Sequence, residues 1–187
     1  MTPSWTWIPN ALCVFRVLLV APLVVLLIER EYTAALALMV LAGASDALDG
    51  FLARKFDCRT RLGSLLDPAA DKLLLTSVFV SLTVIGLVPL AMTAIVVLRD
   101  VVIVFGALAY HRLIGPVSGA PTAISKLNTA CQLGFVLFAV TRAAYGLPPG
   151  IVVDMLGAAV VFTTICSGTN YVLSWSRRAW RATHAAS

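Results

Sequence analysis

The sequence predicts an all-α integral membrane protein of six transmembrane helices, with both termini on the cytoplasmic side. Composition is the first ground for this. Of 187 residues, 60% are hydrophobic and only 12% charged, whereas a soluble domain has about 45–50% apolar and about 25% charged residues. Mean hydropathy is +0.94, more than one globular core can absorb, so the chain belongs in lipid. The second ground is length: six apolar stretches can be marked out, and about 20 mostly apolar residues cross a bilayer. The third is the placement of the basic residues, which follows from the stretches themselves.

The first span covers residues 8–28 and stops at "ERE", 29–31. The second, 32–53, carries Asp46 and Asp49 near its end and runs into a basic turn, "RKFDCRTRLGS", at 54–64. The third, 70–87, is the shortest; Asp67 followed by Pro68 reads as its N-cap with proline at the first helical position. "GLVP" at 86–89 separates it from the fourth span, 90–110, which holds Arg99 and Asp100 at its middle. "HRLIGPVSGAP" at 111–121 leads to the fifth span, 126–146, and "YGLPPG" at 145–150 to the sixth, 150–174.

An even number of spans puts both termini on one side, and Lys and Arg decide which side that is. Arg54, Lys55, Arg59, Arg61, Lys72, Arg112, Lys126, Arg177, Arg178 and Arg181 fall on the side of the termini, against Arg30 and Arg142 on the other. Trp5, Trp7, Trp175 and Trp180 flank the same face, where interfacial aromatics belong. Ten against two makes that side the cytoplasm. The net charge of +5 is thus an orientation signal with attraction to anionic membrane lipids. No basic groove with stacking aromatics lies outside the membrane, so no nucleic-acid partner is expected.

No linker, repeat or low-complexity run divides residues 1–187, and a single domain is expected. Cys13, Cys58, Cys131 and Cys166 are scattered with no C-x-x-C pair, which fits apolar packing better than a disulfide or zinc framework. "MTPSWTW" has no basic n-region and is not Arg/Ser-rich, so neither a cleaved signal nor a transit peptide is expected. On that ground the expected location is a bacterial inner (plasma) membrane.

Five of the nine acidic residues lie within 45–74. Asp46 and Asp49 at i, i+3 share one helix face, and Asp67 and Asp71 at i, i+4 share another. Two helices entering from the same side would point four carboxylates into one wedge. Four anions partly out of water repel and raise one another's pKa values. One or two hard divalent cations remove that conflict, and paired metals serve displacement at phosphorus. Gly50, Ala53, Gly63 and Ser64 leave room for a ligand, and Arg54 can grip a phosphate with two hydrogen bonds. The bland reading has the acids capping helices or pairing with Arg54, Lys55, Arg61 and Lys72. It accounts for one pair more readily than for four at matched spacing.

The run Asp46-x2-Asp49-Gly50-x2-Ala53-Arg54-x8-Gly63-x3-Asp67-x3-Asp71 resembles the full signature of the CDP-alcohol phosphatidyltransferases. The resemblance implies six transmembrane helices, a homodimer, and a cytoplasm-facing site with two divalent cations, Mg2+ or Mn2+. It also implies transfer of a phosphatidyl group from CDP-diacylglycerol to an alcohol, with release of CMP. By that resemblance Asp46, Asp49, Asp67 and Asp71 bind metal, and Asp71 is the base for the attacking hydroxyl. Asp49, Gly50, Ala53, Arg54, Gly63 and Ser64 hold the CDP moiety.

"IPNALCVFRVLLVAP" at 8–22 is similar to the first helix of two branches, the phosphatidylglycerophosphate synthases and the CMP-forming cardiolipin synthases. "LRDVVIV" at 98–104, "PTAISKLNTACQLGFV" at 121–136 and "FTTICSGTNYVLSWSRR" at 162–178 resemble the second branch. Where the first branch opens its fifth helix G-K-x-K-T, this chain reads Ser125-Lys126-Leu127-Asn128-Thr129. One cation fewer favours phosphatidylglycerol over glycerol 3-phosphate as acceptor.

Intramembrane ionisable groups mark function by default. Residues 99 and 100 point about 100° apart on a helix, so they are expected not to neutralise each other well, and each to need its own partner or a watery cavity. Arg99 then grips an acceptor phosphate, or else forms a structural ion pair. Arg112, Ser125, Lys126, Asn128 and Thr129 are candidates for the same acceptor site, although Arg112 also serves orientation, and hydroxyls and amides on helix five also bind neighbouring helices. Asn10, Arg16 and Gln132 are candidates to line the site, Arg16 with the alternative of snorkelling to the head groups. A divalent-cation transporter is the competing class. Past Asp71, however, "LLLTSVFVSLTVIGLV" continues no polar path.

Overall fold

The computed structural model describes residues 7–56, 61–113 and 122–184, and side chains within 15–45, 70–108, 112 and 122–174. Its elements are six helices: α1 (Trp7–Ile28), α2 (Tyr32–Phe56), α3 (Arg61–Val84), α4 (Leu90–Leu113), α5 (Ala123–Tyr145) and α6 (Gly150–His184). Six helices stand in the expected order, and the chain is all-helical among the described residues. Three stretches there are long and apolar enough to cross a membrane: Leu90–Leu108, Ala123–Tyr145 and Gly150–Ser174. Phe15–Ile28 and Tyr32–Ser45 are shorter apolar segments.

The helices stop where backbone chemistry stops them. At the end of α1, Glu31 N–H donates to Leu26 C=O and Arg30 N–H to Leu27 C=O, with Arg30 at φ 63°. This is the paired closure in which one left-handed residue satisfies the last carbonyls. Gly86 closes α3 in the same way at φ 80°, with Leu87 N–H donating to Leu82 C=O and Gly86 N–H to Thr83 C=O. Glycine adopts that conformation without a Cβ clash, whereas arginine does so at a cost of about 1–2 kcal/mol. At the start of α5, Thr122 Oγ1 accepts from Ser125 N–H at 3.3 Å, an N-cap one residue before the helix.

The third helix begins earlier than its hydropathy suggests. It starts at Arg61, so Asp67 and Pro68 lie inside it and the N-cap reading is corrected. The expected basic turn shrinks as well, because α2 runs to Phe56 and α3 takes up Arg61 onward. Polar residues continue both helices beyond the apolar windows, and hydropathy alone does not register them.

Packing falls into two compact units, Met1–Val88 with Val136–Pro149, and Pro89–Phe135 with Gly150–Ser187. In the first, α1 packs on α2 and α3. Leu23 and Leu27 of α1, Ala35, Met39 and Ala42 of α2, and Val78, Phe79 and Leu82 of α3 are buried. Apart from the adjacent Val78 and Phe79, their spacings of three, four and seven are those of one helix face. In the second, α4 packs on α6. A Cβ on Gly157 would come 3.3 Å from Phe135 Cε2 and 3.9 Å from Met92 Sδ, which shows how closely α6 approaches α5 and α4. Val84, Leu90, Phe105, Met155 and Phe162 are each at least 66% exposed. Apolar surface on that scale suits a lipid surround.

Candidate active site

Of the four expected metal-binding aspartates, Asp71 is the one with a described side chain. Asp46 and Asp49 lie on α2, and Asp67 shares α3 with Asp71. The side chains of Asp46, Asp49 and Asp67 lie outside the described residues, as do those of Asn10, Ala53, Arg54 and Ser64 and the surroundings of Gly50 and Gly63. Helical backbone at all these positions puts each aspartate pair on one face of its helix. Among the described residues no three His, Cys, Asp or Glu side chains gather into a metal-sized group.

Asp71 is held from α1. Arg16 Nη1 donates to Asp71 Oδ1, and the Arg16 side chain is 3% exposed against 48% for Asp71. Arg16 lies on the same stripe of α1 as Leu23 and Leu27, at intervals of seven and four, and therefore faces inward. The long guanidinium side chain crosses to α3 and makes a charge-assisted bond there. Arg16 thus turns inward to a carboxylate.

A second polar cluster lies wholly in the other unit. Arg99, 7% exposed, donates from Nη1 to Asp100 Oδ1 at 2.6 Å and from Nη2 to Ser125 Oγ at 2.7 Å and Ser167 Oγ at 2.6 Å. The expectation that residues 99 and 100 would not neutralise one another is corrected. Three methylenes and a planar fork let an arginine reach around about 100° of helix to its neighbour. One guanidinium therefore ties α4 to the first turn of α5 and to α6.

One turn further along α5, Asn128 is fully buried, and its Oδ1 accepts from Thr163 Oγ1 at 2.9 Å and Thr164 Oγ1 at 2.8 Å. Thr163 Oγ1 also lies 2.7 Å from Ala159 C=O, and a hydroxyl has a single hydrogen to give. In this orientation Asn128 Nδ2 has no partner among the described residues. In the opposite amide orientation Nδ2 donates to the two hydroxyls, and Thr163 keeps its hydrogen for Ala159. Either way Asn128 clasps α5 to α6, and a lysine there would be a buried charge. Gln132 is buried, and its Nε2 finds no partner among the described residues. Lys126, Thr129 and Arg112 are exposed, and Thr129 Oγ1 bonds back to Ser125 C=O at 3.2 Å.

Ser167, Thr163 and Thr164 went unremarked in the sequence. The available signal was their spacing of three and four on an otherwise apolar helix, one polar stripe aimed at a neighbour.

Apolar helices of membrane length, with arginines turned inward onto carboxylates, define a helical integral membrane protein built to handle charge among its helices. The chain belongs to the CDP-alcohol phosphatidyltransferase family, whose sequence pattern matches residues 6–167. It is 37% identical to a human cardiolipin synthase (CMP-forming) over 91% of this chain and 63% of that protein. The rat cardiolipin synthase (CMP-forming) is 35% identical over 89% of this chain and 60% of its own length. A fission-yeast cardiolipin synthase (CMP-forming)/mitochondrial hydrolase fusion protein is 36% identical over 89% of this chain and 31% of its own. The chain thus spans less than two thirds of the length of these relatives.

These relatives overturn the expected bacterial inner membrane. They are eukaryotic proteins matching across about nine-tenths of the chain, which points away from that location. The expectation rested on how the chain begins, and a chain covering 60–63% of the human and rat proteins says nothing by its first residues about a leader.

Proposed function

We propose that the chain is a CMP-forming cardiolipin synthase. The terminal hydroxyl of phosphatidylglycerol attacks the phosphatidyl phosphorus of CDP-diacylglycerol. A new P–O bond forms, the bond to CMP breaks, and the hydroxyl proton passes to the Asp71 carboxylate. Resemblance to cardiolipin synthases over about 90% of the chain is the observation that carries this reading.

Asp46, Asp49, Asp67 and Asp71 are the proposed ligands of two divalent cations, Mg2+ or Mn2+. An all-carboxylate donor set suits such hard ions, and half of the Asp71 side-chain surface is accessible beside Arg16. When bound, the cations neutralise the pyrophosphate and the departing CMP. Gly50, Ala53, Arg54, Gly63 and Ser64, with Asp49, bind the CDP moiety. Arg16 keeps Asp71 in the orientation a general base needs, within hydrogen-bond reach of the incoming hydroxyl. Arg99, Ser125 and Lys126 are the proposed acceptor contacts, with Arg112 and Thr129 as further members of that group, while the fully buried Asn128 acts on it from behind. Asn128 in place of a lysine lowers the positive charge there and favours a phosphodiester over the dianionic phosphate of glycerol 3-phosphate. The protein is further proposed to cross the membrane six times with both termini and the site on the cytoplasmic side, and to act as a homodimer.

The deciding experiment supplies the purified chain with Mg2+ or Mn2+, CDP-diacylglycerol, and either phosphatidylglycerol or glycerol 3-phosphate. Cardiolipin and CMP are the expected products. Conversion of glycerol 3-phosphate alone overturns the acceptor assignment, and absence of CMP with either alcohol overturns the enzyme reading.

A further inference from the structure

Ser167 of α6 is fully buried, and its Oγ accepts from Arg99 Nη2 at 2.6 Å. The same nitrogen donates to Ser125 Oγ at 2.7 Å. Nη2 carries two hydrogens, so Ser167 and Ser125 take one each. Asp100 Oδ1 holds Nη1, on the other prong of the fork, at 2.6 Å. Acceptors on α4, α5 and α6 leave a planar guanidinium little freedom to turn. Its stem is held as well: it runs against α6 at Gly168, where a Cβ would stand 3.5 Å from Arg99 Cγ.

What this clamp delivers is Ser125. The Ser125 hydroxyl accepts from Arg99 and so keeps its own hydrogen to give, and no acceptor takes that hydrogen among the described residues. A charged donor behind a hydroxyl polarises it and strengthens the bond it gives in turn. Ser125 is half-buried in the first turn of α5, its N–H capped by Thr122 Oγ1, with the exposed Lys126 beside it. The charge of the buried Arg99 therefore reaches the edge of the cluster through Ser125. Its direction depends on Ser167. Without that oxygen one Nη2 hydrogen is left unsatisfied in a buried place, which is costly, and the fork is released to turn away from Ser125.

We propose that Ser167 is a positioning residue for the acceptor: it holds Arg99 so that the polarised Ser125 hydroxyl donates to a phosphate oxygen of phosphatidylglycerol. This rests on the reading that the start of α5 receives the acceptor. It gives α6 a part in acceptor binding that is exerted through Arg99 and Ser125.

The purified full chain in mixed micelles of CDP-diacylglycerol and phosphatidylglycerol is compared with Ser167→Ala, Ser125→Ala and the double variant, and CMP release is measured against each substrate in turn. Ser167→Ala should raise the KM for phosphatidylglycerol about tenfold, the ratio one hydrogen bond to a charged group supports. The KM for CDP-diacylglycerol and kcat should stay within about twofold. Ser125→Ala should do the same, and the double variant should add less than about twofold to the larger single effect, because both serines act through one nitrogen. Ser167→Cys, similar in size with a weaker acceptor, should fall between the parent and Ser167→Ala. Backbone hydrogen exchange is followed in parallel: Ser167→Ala should speed it at 123–129 of α5 and leave 32–45 of α2 unchanged. Equal rises in both KM values, a loss in kcat alone, effects that multiply in the double variant, or exchange raised in α2 as much as in α5 would make Ser167 a packing residue and overturn the proposal. CMP release from the parent with the acceptor KM unmoved in Ser167→Ala overturns the positioning role and leaves the enzyme reading. No CMP from the parent, with exchange at 123–129 still responding to Ser167→Ala, overturns the enzyme reading and leaves the link from Ser167 to α5.

Discussion

The bond from Arg16 to Asp71 gives the sharpest test of the proposed chemistry. Replacing Arg16 by leucine keeps an apolar filler on the inner stripe of α1 and deletes the donor to Asp71 Oδ1. A hydrogen bond to a charged group contributes about 1.5–3 kcal/mol, and the 48% exposure of the Asp71 side chain moves the estimate to the lower end. About 1.4 kcal/mol is a factor of ten in the population of the held rotamer. A base out of place by about 1 Å loses about 10²-fold in rate. The expected fall in kcat for Arg16→Leu is therefore about 10- to 100-fold, with KM for CDP-diacylglycerol little changed. Asp71→Asn, which removes the base itself, should lose about 10²- to 10⁴-fold while still binding the CDP-lipid. CMP release at saturating substrates, measured for both single variants and the double, separates positioning from bulk stability. If Arg16 acts through Asp71, adding Arg16→Leu to Asp71→Asn changes the rate by less than about twofold. Arg16→Lys should recover part of the loss. A single variant within about twofold of the parent, or two losses that multiply in the double variant, would refute the reasoning.

Three further outcomes follow from the packing. Arg99→Leu should destabilise the protein by about 1.5–3 kcal/mol, the worth of a hydrogen bond to a charged group, because it removes the 2.6 Å bond to Asp100, 17% exposed. Arg99→Leu with Asp100→Leu should be less damaging than Arg99→Leu alone, as read from thermal aggregation in detergent. Arg30→Gly should stabilise by about 0.5–1 kcal/mol, since glycine takes φ 63° at the end of α1 without the clash, against its greater freedom when unfolded. An unchanged melting point would contradict the helix-closure reading. Gly157→Leu should lower the yield of folded protein, because its first side-chain carbon already stands 3.3 Å from the Phe135 ring, and overpacking costs about 1–3 kcal/mol. A variant that folds as the parent does would show that Phe135 gives way.

The six helices were legible because each depends on local signals: apolar length for the spans, and glycine or charged residues at the breaks. The start of α3 departs from the expected one for the same reason. Asp67-Pro68 is a strong local pattern for a helix start, yet the helix already runs from Arg61, and the pattern does not record the turns before it. The aspartate spacing on α2 and α3 was legible too, since helical periodicity alone puts i, i+3 and i, i+4 on one face. Partner choice was not. Arg99 appeared to need a partner other than Asp100, but side-chain length overcame angular separation. Ser167 shares a polar stripe with Thr163 and Thr164, but its partner becomes visible once α4 and α6 are packed.

By itself, then, the order of residues determined the helical class, the helices and the turns between them, and the placement of four aspartates on two consecutive helices. It also determined the family, because the motif is short, local and specific in spacing. Tertiary structure decided which charges meet: Arg16 with Asp71 across 55 positions of chain, and Arg99 with Ser125 and Ser167 across 26 and 68. A buried charge takes whichever partner packing brings within reach, because leaving it unpaired is costly. Spacing along one helix is set by 3.6 residues per turn, whereas contact between helices is set by side-chain volume and close approach, as at Gly157, and no local pattern encodes it.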